Sequence, residues 1–299
     1  MSSAIEIRAL TKRYGRVEAV RDVSLSVAQG ETYGYLGPNG SGKTTTIRCI
    51  LGLLRPTGGS IRVFGHDVAR ELRSVLERVG HIPGEFGLWP QMTGRECLDY
   101  LGALHPRQPA RVKDLCARFE LAKTDLDKEV RFYSRGMRQK IAIVQAFQHE
   151  PELVVLDEPT EGLDPVMKDR FMALLREHRA GGGTIFLSSH ILSEVEDAAD
   201  RVAVLRKGRV VKEAPTEQLA VGRVRHCTVT LKDPSLDRAA FELPGVSELR
   251  GDDRIIHFDY RGDMQPLLDR LATVGVEDFL AEPASLREAF FEVYGREQP

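Results

Sequence analysis

The stretch Gly37-Pro38-Asn39-Gly40-Ser41-Gly42-Lys43-Thr44 matches the whole of the phosphate-loop pattern GxxxxGK[ST]. Glycines at these positions let backbone N–H groups turn inward and point at phosphate oxygens. An apolar run from Thr32 to Leu36 precedes the loop, and a helix is predicted from Gly42 to about Leu53. The loop should therefore lie at a helix N-terminus, which favours anions. The pattern places Lys43 against the β- and γ-phosphates of a nucleotide and the Thr44 hydroxyl on Mg²⁺.

Two acidic residues follow a second apolar run. Leu153 to Leu156 is typical of a strand that is buried on both faces, and Asp157 and Glu158 come directly after it. An acid at the end of such a strand, beside a phosphate loop, can hold Mg²⁺ through water, and we assign this role to Asp157. Glu158 is then placed to accept a proton from the attacking water as a general base. Without the phosphate loop, the same pair would indicate an ordinary solvated turn.

The remaining elements predict an α/β fold with a parallel sheet, because strands and helices alternate around the phosphate loop. A helix should begin at Asp164-Pro165, with the aspartate as cap, and end at the glycines 181–183. The segment from about 88 to 150 is mostly helical and suggests a separate subdomain. Further strands are predicted at Ala4–Leu10, Ala19–Val27, Ser60–Phe64, Ile185–Ser188 and Arg201–Arg206.

The composition changes after about Gly222, and a small C-terminal α+β domain is predicted over 223–299 behind a first domain of 1–222. Apolar and polar residues alternate from Cys227 to Leu231 and from Ile256 to Tyr260, as in strands. Ser285 and Glu288 have the spacing of a helix capping box. One helical stripe is formed by Met264, Leu267, Leu268, Leu271 and Val274.

Composition and charge exclude several classes of protein. The formal net charge is −2, so the basic footprint of a nucleic-acid-binding protein is absent and no nucleic-acid partner is expected. No apolar stretch approaches the roughly 20 residues needed to span a bilayer, and Met1 to Arg8 lack the pattern of a signal peptide. The four cysteines are scattered without metal-ligand spacing, which favours a reducing cytosolic compartment.

A further motif identifies a family. Tyr133-Ser134-Arg135-Gly136-Met137-Arg138-Gln139 lies between the phosphate loop and Asp157 and resembles the signature of the ABC transporter ATPases, whose common form is Leu-Ser-Gly-Gly-Gln. Ser134 and Gly136 match this form, whereas Tyr133, Arg135 and Met137 depart from it. The resemblance covers roughly residues 3 to 220. It implies a P-loop ATPase core with an antiparallel β subdomain and a helical subdomain, and it implies ATP and Mg²⁺ as ligands.

The resemblance also implies roles for individual residues. Tyr14 is at the position of the aromatic residue that stacks on adenine, and Leu163-Asp164 resembles the loop at the dimer interface. His190 resembles the switch histidine that contacts the γ-phosphate, so Glu158, His190 and Lys43 form the expected catalytic set. Thr44 and Asp157 are the expected metal ligands. The expected nucleotide-binding residues are Tyr14, Gly37, Pro38, Asn39, Gly40, Ser41, Gly42, Lys43, Thr44, Thr45, Ser134 and Gly136.

In this family two ATP-binding subunits pair head to tail and enclose two ATP molecules, and their closure drives a membrane-spanning permease. The resemblance therefore implies a dimer on the cytoplasmic face of the cell membrane, held there by the permease; we favour a homodimer, and a heterodimer with a second ATP-binding chain stays open. The C-terminal segment around Glu282-Pro283 and Phe290-Phe291 is similar to that of ATPases serving type-two ABC exporters. An exporter is accordingly favoured over an importer.

One position departs from the family pattern. Many members have a glutamine after the strand that here includes Val79 to Ile82, and this chain has Gly84 followed by Glu85. Either water or the Glu85 carboxylate could replace the missing side-chain oxygen near Mg²⁺, and we favour water because a carboxylate would also repel the γ-phosphate. Two other functions remain open: a soluble ABC ATPase that is not coupled to transport, and a module that binds ATP without hydrolysing it.

Overall fold

The computed structural model describes residues 2–219, 224–232, 241, 243–252 and 254–283. The chain divides into two compact units, Met1–Ala214 and Pro215–Pro299. A short helix, Thr216–Leu219, lies at the start of the second unit, and the predicted boundary at residue 222 falls outside the described residues.

The first unit contains two sheets. The strands are β1 Ser3–Tyr14, β2 Val17–Ala28, β3 Thr32–Leu36, β4 Gly58–Val63, β5 His66–Asp67, β6 Val79–Ile82, β7 Leu153–Asp157, β8 Thr184–Ser189, β9 Arg201–Arg206 and β10 Arg209–Pro215. A four-stranded sheet has the order β2-β1-β4-β5 with antiparallel pairs, and a six-stranded sheet has the order β10-β9-β3-β8-β7-β6. The pairs β3/β8, β3/β9, β7/β8 and β6/β7 are parallel, which confirms the predicted α/β fold.

The helices of the first unit lie between its strands along the chain. They are α1 Lys43–Ile50, α2 Leu72–Leu76, α3 Gly94–Ala103, α4 Val112–Arg118, α5 Lys123–Leu126, α6 Arg135–Phe147, α7 Pro165–Ala180 and α8 Leu192–Ala198, with a 3₁₀ turn at Val130–Phe132. The short helix of the second unit, Thr216–Leu219, is α9. The Asp164 cap of α7 is confirmed, since its carboxylate accepts from Met167 N at 2.9 Å. Helix α1 ends at Ile50 rather than near Leu53, because Gly52 adopts a φ of 67° that a helix cannot continue.

Strand β7 separates two apolar cores. Val154 and Leu156 pack with the helical segment that includes α3, α4 and α6, whereas Leu153 and Val155 pack with α1 and the antiparallel sheet. Every residue of β7 is buried, because successive side chains of a strand point to opposite faces and both faces are covered. This explains why its sequence is a continuous apolar run rather than an alternating one.

The register of the parallel strands determines where the polar residues meet. Asp157 is paired with Ser188, and Leu36 is paired with Ser189. The carboxyl ends of β3, β7 and β8 are therefore level with one another at a single edge of the sheet. That edge is where ligands bind in open α/β sheets.

The second unit contains a four-stranded antiparallel sheet of order β12-β13-β11-β14, from β11 Val224–Leu231, β12 Val246–Gly251, β13 Ile255–Arg261 and β14 Val276–Pro283. Helix α10, Met264–Val274, buries Leu267 and Leu271 in a core with alternate residues of β11 and β13, as the alternation predicted, whereas Leu268 of the predicted stripe is 45% exposed. The predicted capping box at Ser285 lies outside the described residues. Within the described ranges, no helix is long and apolar enough to cross a membrane.

Candidate functional site

The predicted phosphate loop connects β3 to α1. Gly40 and Gly42 have φ values of 78° and 111°, which side chains rarely adopt. A Cβ on Gly37 would lie 2.6 Å from Ser41 Oγ, and one on Gly42 would lie 2.5 Å from the Ala19 carbonyl oxygen. The loop conformation therefore requires glycine at these positions, as the motif predicted.

Lys43 lies at the first turn of α1 and folds back over the loop. Its ammonium donates to the carbonyl oxygens of Gly37 at 2.6 Å and Pro38 at 3.3 Å. The same Nζ lies 3.2 Å from Glu158 Oε1, and the Lys43 side chain is only 6% exposed. A buried cation without a counter-charge would be costly, so Glu158 compensates the charge of Lys43 in this structure.

Glu158 brings the predicted catalytic residues together. Its Oε1 is paired with Lys43, while its Oε2 accepts from the His190 backbone N–H at 3.3 Å and lies 2.7 Å from His190 Nδ1. The Glu158 backbone has a φ of 50°, a left-handed conformation that costs a side-chain-bearing residue about 1–2 kcal/mol. Its N–H donates to the Ser188 carbonyl oxygen at 3.1 Å, and this bond anchors the turn after β7 to β8.

Asp157 is oriented by a neighbouring strand. Its Oδ1 accepts from the Ser188 hydroxyl at 2.6 Å, and the residue is 2% exposed. On its other side, a Cβ on Gly84 would lie 3.4 Å from Oδ2. The position at which the family has glutamine is therefore adjacent to Oδ2 of Asp157. Ser188 was not predicted as a site residue, although it is a polar residue at the end of an apolar run.

The residues present fit a nucleoside triphosphate with Mg²⁺. Ser41 Oγ is buried and has no hydrogen-bond partner among the described residues, and Glu158 Oε1 is buried with Lys43 as its ion-pair partner. The first N–H groups of α1 lack intrahelical partners and carry the positive end of the helix dipole, so they suit phosphate oxygens. The hydroxyl of the exposed Thr44 and Oδ2 of Asp157 are the hard oxygen ligands that Mg²⁺ prefers.

The signature motif caps α6 and contacts the turn after Glu158. Ser134 is the cap of α6, and its hydroxyl accepts from Met137 N at 3.2 Å. A Cβ on Gly136 would lie 2.9 Å from the Gly162 carbonyl oxygen. Gln139, which was not predicted, donates from Nε2 to the Pro159 carbonyl oxygen at 2.6 Å. In the described part of the chain, no hydrogen bond joins Ser134 or Gly136 to Lys43, Glu158 or His190.

Tyr133, which replaces the leucine of the common signature, is a packing residue. It is 3% exposed, and its hydroxyl donates to the Asp125 carbonyl oxygen at 2.6 Å. Burial raises the pKa of Tyr133 to about 12. A Cβ on Gly94 would lie 2.1 Å from the tyrosine hydroxyl oxygen, so the larger side chain fills space that this glycine leaves open. The tyrosine in place of leucine therefore affects the packing of the helical segment and does not affect Ser134 or Gly136.

Tyr14 lies at the end of β1, outside the Lys43–Glu158–His190 cluster. Its side chain is 47% exposed, and Lys12 Nζ lies 5.3 Å from the ring centroid. One face of an exposed ring is suited to stacking on a planar base. The structure thus leaves Tyr14 available for the adenine contact that was predicted for it.

Comparisons with known proteins identify the family of the chain. Residues 20–161 match the family model described as ABC transporter. The chain is 37% identical over 237 residues to the bacitracin transport ATP-binding protein BcrA of Bacillus licheniformis, covering 78% of this chain and 76% of that protein. It is 34% identical over 302 residues to the Nod factor export ATP-binding protein I of Burkholderia lata, covering 98% and 97%.

A solved structure shows the same fold. The structure of an ATP-binding subunit of an ABC transporter superimposes with a TM-score of 0.68 at 31% identity, covering 73% of this chain and 92% of that one. The sequence matches and the geometry at the ends of β3, β7 and β8 lead to the same conclusion: the chain belongs to the ABC transporter ATP-binding proteins, the subunits that bind and hydrolyse ATP to power transport through a separate membrane-spanning partner.

Proposed function

We propose that Glu158 is the general base of ATP hydrolysis and that Lys43 and His190 hold the phosphates on either side of it. The contact of one carboxylate with both Lys43 Nζ at 3.2 Å and His190 Nδ1 at 2.7 Å carries this proposal. Bound ATP would occupy the space beside the loop, and its phosphate oxygens would replace Glu158 as the partner of Lys43. The carboxylate would then be free to accept a proton from the attacking water.

The remaining residues orient the bound nucleotide and neutralise its charge. Lys43 and the N–H groups at the start of α1 compensate the charge that develops on the transferring phosphoryl group. Thr44 and Asp157 would hold Mg²⁺, which supplies charge neutralisation between the β- and γ-phosphates when it is bound. Ser188 keeps the Asp157 carboxylate in place through its 2.6 Å hydrogen bond. Tyr14 would stack on the adenine.

The metal site should not depend on Glu85. Glu85 is exposed, whereas Gly84 is the residue beside the Asp157 carboxylate, so water has room to complete the coordination of Mg²⁺. We expect Glu85→Ala to leave the Mg²⁺ concentration needed for half-maximal ATPase activity unchanged within about twofold. A Mg²⁺ titration of the wild type, Glu85→Ala and Glu85→Gln tests this. A higher requirement in the alanine variant that the glutamine variant reverses would show that the carboxylate replaces the missing glutamine.

The assembly we propose is a head-to-tail homodimer, with the signature of each subunit completing the nucleotide site of the other. It is supported by the structure of a single chain, in which Ser134 caps α6 and Gly136 contacts the turn after Glu158, and no hydrogen bond among the described residues joins either of them to Lys43. ATP would be enclosed between the subunits, and its hydrolysis would allow them to separate. The movement would be transmitted to a permease at the cytoplasmic face of the membrane.

Export is the direction of transport we propose. The relatives include proteins named for bacitracin transport and for Nod factor export, and the signature here reads Ser-Arg-Gly-Met, which resembles that of type-two exporters. A surface for the permease is offered by Trp89 and Tyr100. Their rings meet edge to face at 5.0 Å, and each stays nearly half exposed.

Cell fractionation tests the permease partner. We expect the chain to remain in the soluble fraction when it is expressed alone and to sediment with membranes when its permease partner is expressed with it. The physical reason is that no described helix is long and apolar enough to cross the bilayer by itself. Trp89→Ala, which removes an exposed aromatic contact, should reduce the sedimented share. Equal membrane association with and without the permease would refute the proposed dependence and point to a direct lipid contact.

A further inference from the structure

Glu194 links three segments that surround the proposed catalytic residues. It lies in the first turn of α8, and its side chain is 11% exposed. Oε1 accepts from the Thr160 hydroxyl at 2.7 Å and lies 3.1 Å from Lys168 Nζ. Oε2 accepts from the Ser189 hydroxyl at 3.2 Å. A carboxylate can accept all of these bonds at once, since it has two oxygens and no donor.

The partners of Glu194 lie next to the proposed catalytic residues in sequence. Thr160 is two positions after Glu158, in the turn that contacts the signature helix. Ser189 directly precedes His190, and its hydroxyl also accepts from Ile191 N at 2.9 Å. The single side chain of Glu194 therefore ties the turn that carries His190 to the turn that carries Glu158.

Lys168 makes this arrangement electrostatically favourable. A nearly buried carboxylate is costly without a counter-charge, and Lys168 on α7 provides one at 3.1 Å. The position of α8 itself does not rest on these bonds. Val195 is completely buried, and its Cγ1 would lie 2.4 Å from a Cβ on Gly34, which shows how closely the helix packs on β3. Removing Glu194 should thus loosen the two turns while the helix stays in place.

We infer that Glu194 is a positioning residue for ATP hydrolysis, one that holds His190 at the distance from Glu158 that the reaction needs. The inference rests on the roles proposed above for Glu158 and His190. It predicts a defect in turnover rather than in nucleotide binding, because none of the partners of Glu194 lies in the phosphate loop. Misplacing a reactive group by about 1 Å can cost roughly a hundredfold in rate.

The first test is the steady-state kinetics of Glu194→Ala, Glu194→Gln and Thr160→Val in the full-length chain. For the alanine variant we expect kcat to fall about ten- to a hundredfold, with the KM for ATP and the affinity for a fluorescent ATP analogue unchanged within about twofold. Glu194→Gln keeps an acceptor oxygen for Thr160 and should recover most of the rate. Thr160→Val should also lower kcat, but by a smaller factor than Glu194→Ala. Asp197→Ala, an exposed carboxylate on the same helix, is the matched control and should be unaffected.

A double-mutant cycle with His190→Ala decides whether Glu194 acts through that histidine. If it does, the double variant should be no slower than His190→Ala alone, because a lost group cannot be misplaced. If the kcat of the double variant falls by the product of the two single-variant factors, the inference is overturned. A normal kcat in Glu194→Ala would also overturn it. A fall in ATP affinity and melting temperature together with kcat would also overturn it, since it would show a structural role. Normal turnover in His190→Ala would refute the proposed role of His190 itself, and the inference with it.

Discussion

Glu158→Gln should bind ATP and hydrolyse it about 10²- to 10⁴-fold more slowly than the wild type, which is the usual contribution of a general base. The amide has the shape of the carboxylate, so it still fits between Lys43 and His190, but it cannot take a proton from water. Steady-state phosphate release and equilibrium binding of a fluorescent nucleotide separate the two effects. Because hydrolysis would let the subunits of the proposed dimer separate, the ATP-bound dimer should accumulate in size-exclusion chromatography.

The structure adds an expectation about affinity. Glu158 Oε1 lies 3.2 Å from Lys43 Nζ, so the carboxylate competes with the phosphates for this cation. Replacing the carboxylate with a neutral amide removes that competition, and ATP affinity should be retained or increased. The control is Glu150→Gln, an exposed carboxylate before the opposite end of β7, which should keep normal turnover. Near-normal turnover in Glu158→Gln would exclude Glu158 as the base.

Lys43→Ala should lose nucleotide binding itself. The ammonium is the buried cation of the loop, and hydrogen bonds to charged groups contribute about 1.5–3 kcal/mol, which corresponds to roughly a 10- to 150-fold weaker Kd for ATP. The variant also leaves Glu158 without its cationic partner, so a negative charge would face the phosphates and weaken binding further. Titration with a fluorescent ATP analogue measures the Kd directly, and thermal melting checks that the chain is folded.

Arg48→Ala is the matched control for Lys43→Ala. Arg48 is an exposed cation in the last turn of the same helix, so its loss changes the net charge equally but should leave the Kd within about twofold. An unchanged Kd in Lys43→Ala would contradict the assignment of Lys43 to the phosphates. A tenfold loss of ATP affinity in both variants would instead show that the overall positive charge of α1, rather than Lys43 itself, attracts the phosphates.

Much of the site could be predicted from sequence because its parts are local. The phosphate loop requires glycines at fixed spacing before a helix, and the φ of 111° at Gly42 shows the physical reason. The pair Asp157-Glu158 follows an apolar run, and a strand buried on both faces leaves polar residues only at its end. The cap at Asp164 is likewise a property of neighbouring residues, since its hydrogen bond reaches only three positions along the chain.

Only the tertiary structure decided which distant residues meet. The register that pairs Asp157 with Ser188 brings the ends of β7 and β8 level with each other. As a result, His190 contacts the Glu158 carboxylate, and the Ser188 hydroxyl donates to Asp157. Glu194 carries no local signal at all, because its partners belong to the turn after β7, to α7 and to the end of β8. The sequence by itself determined the loop, the acids and the helix caps, each of which depends on neighbouring residues. The contacts that set the geometry of the site depend on strand register and helix packing, and these are settled only when the whole core assembles.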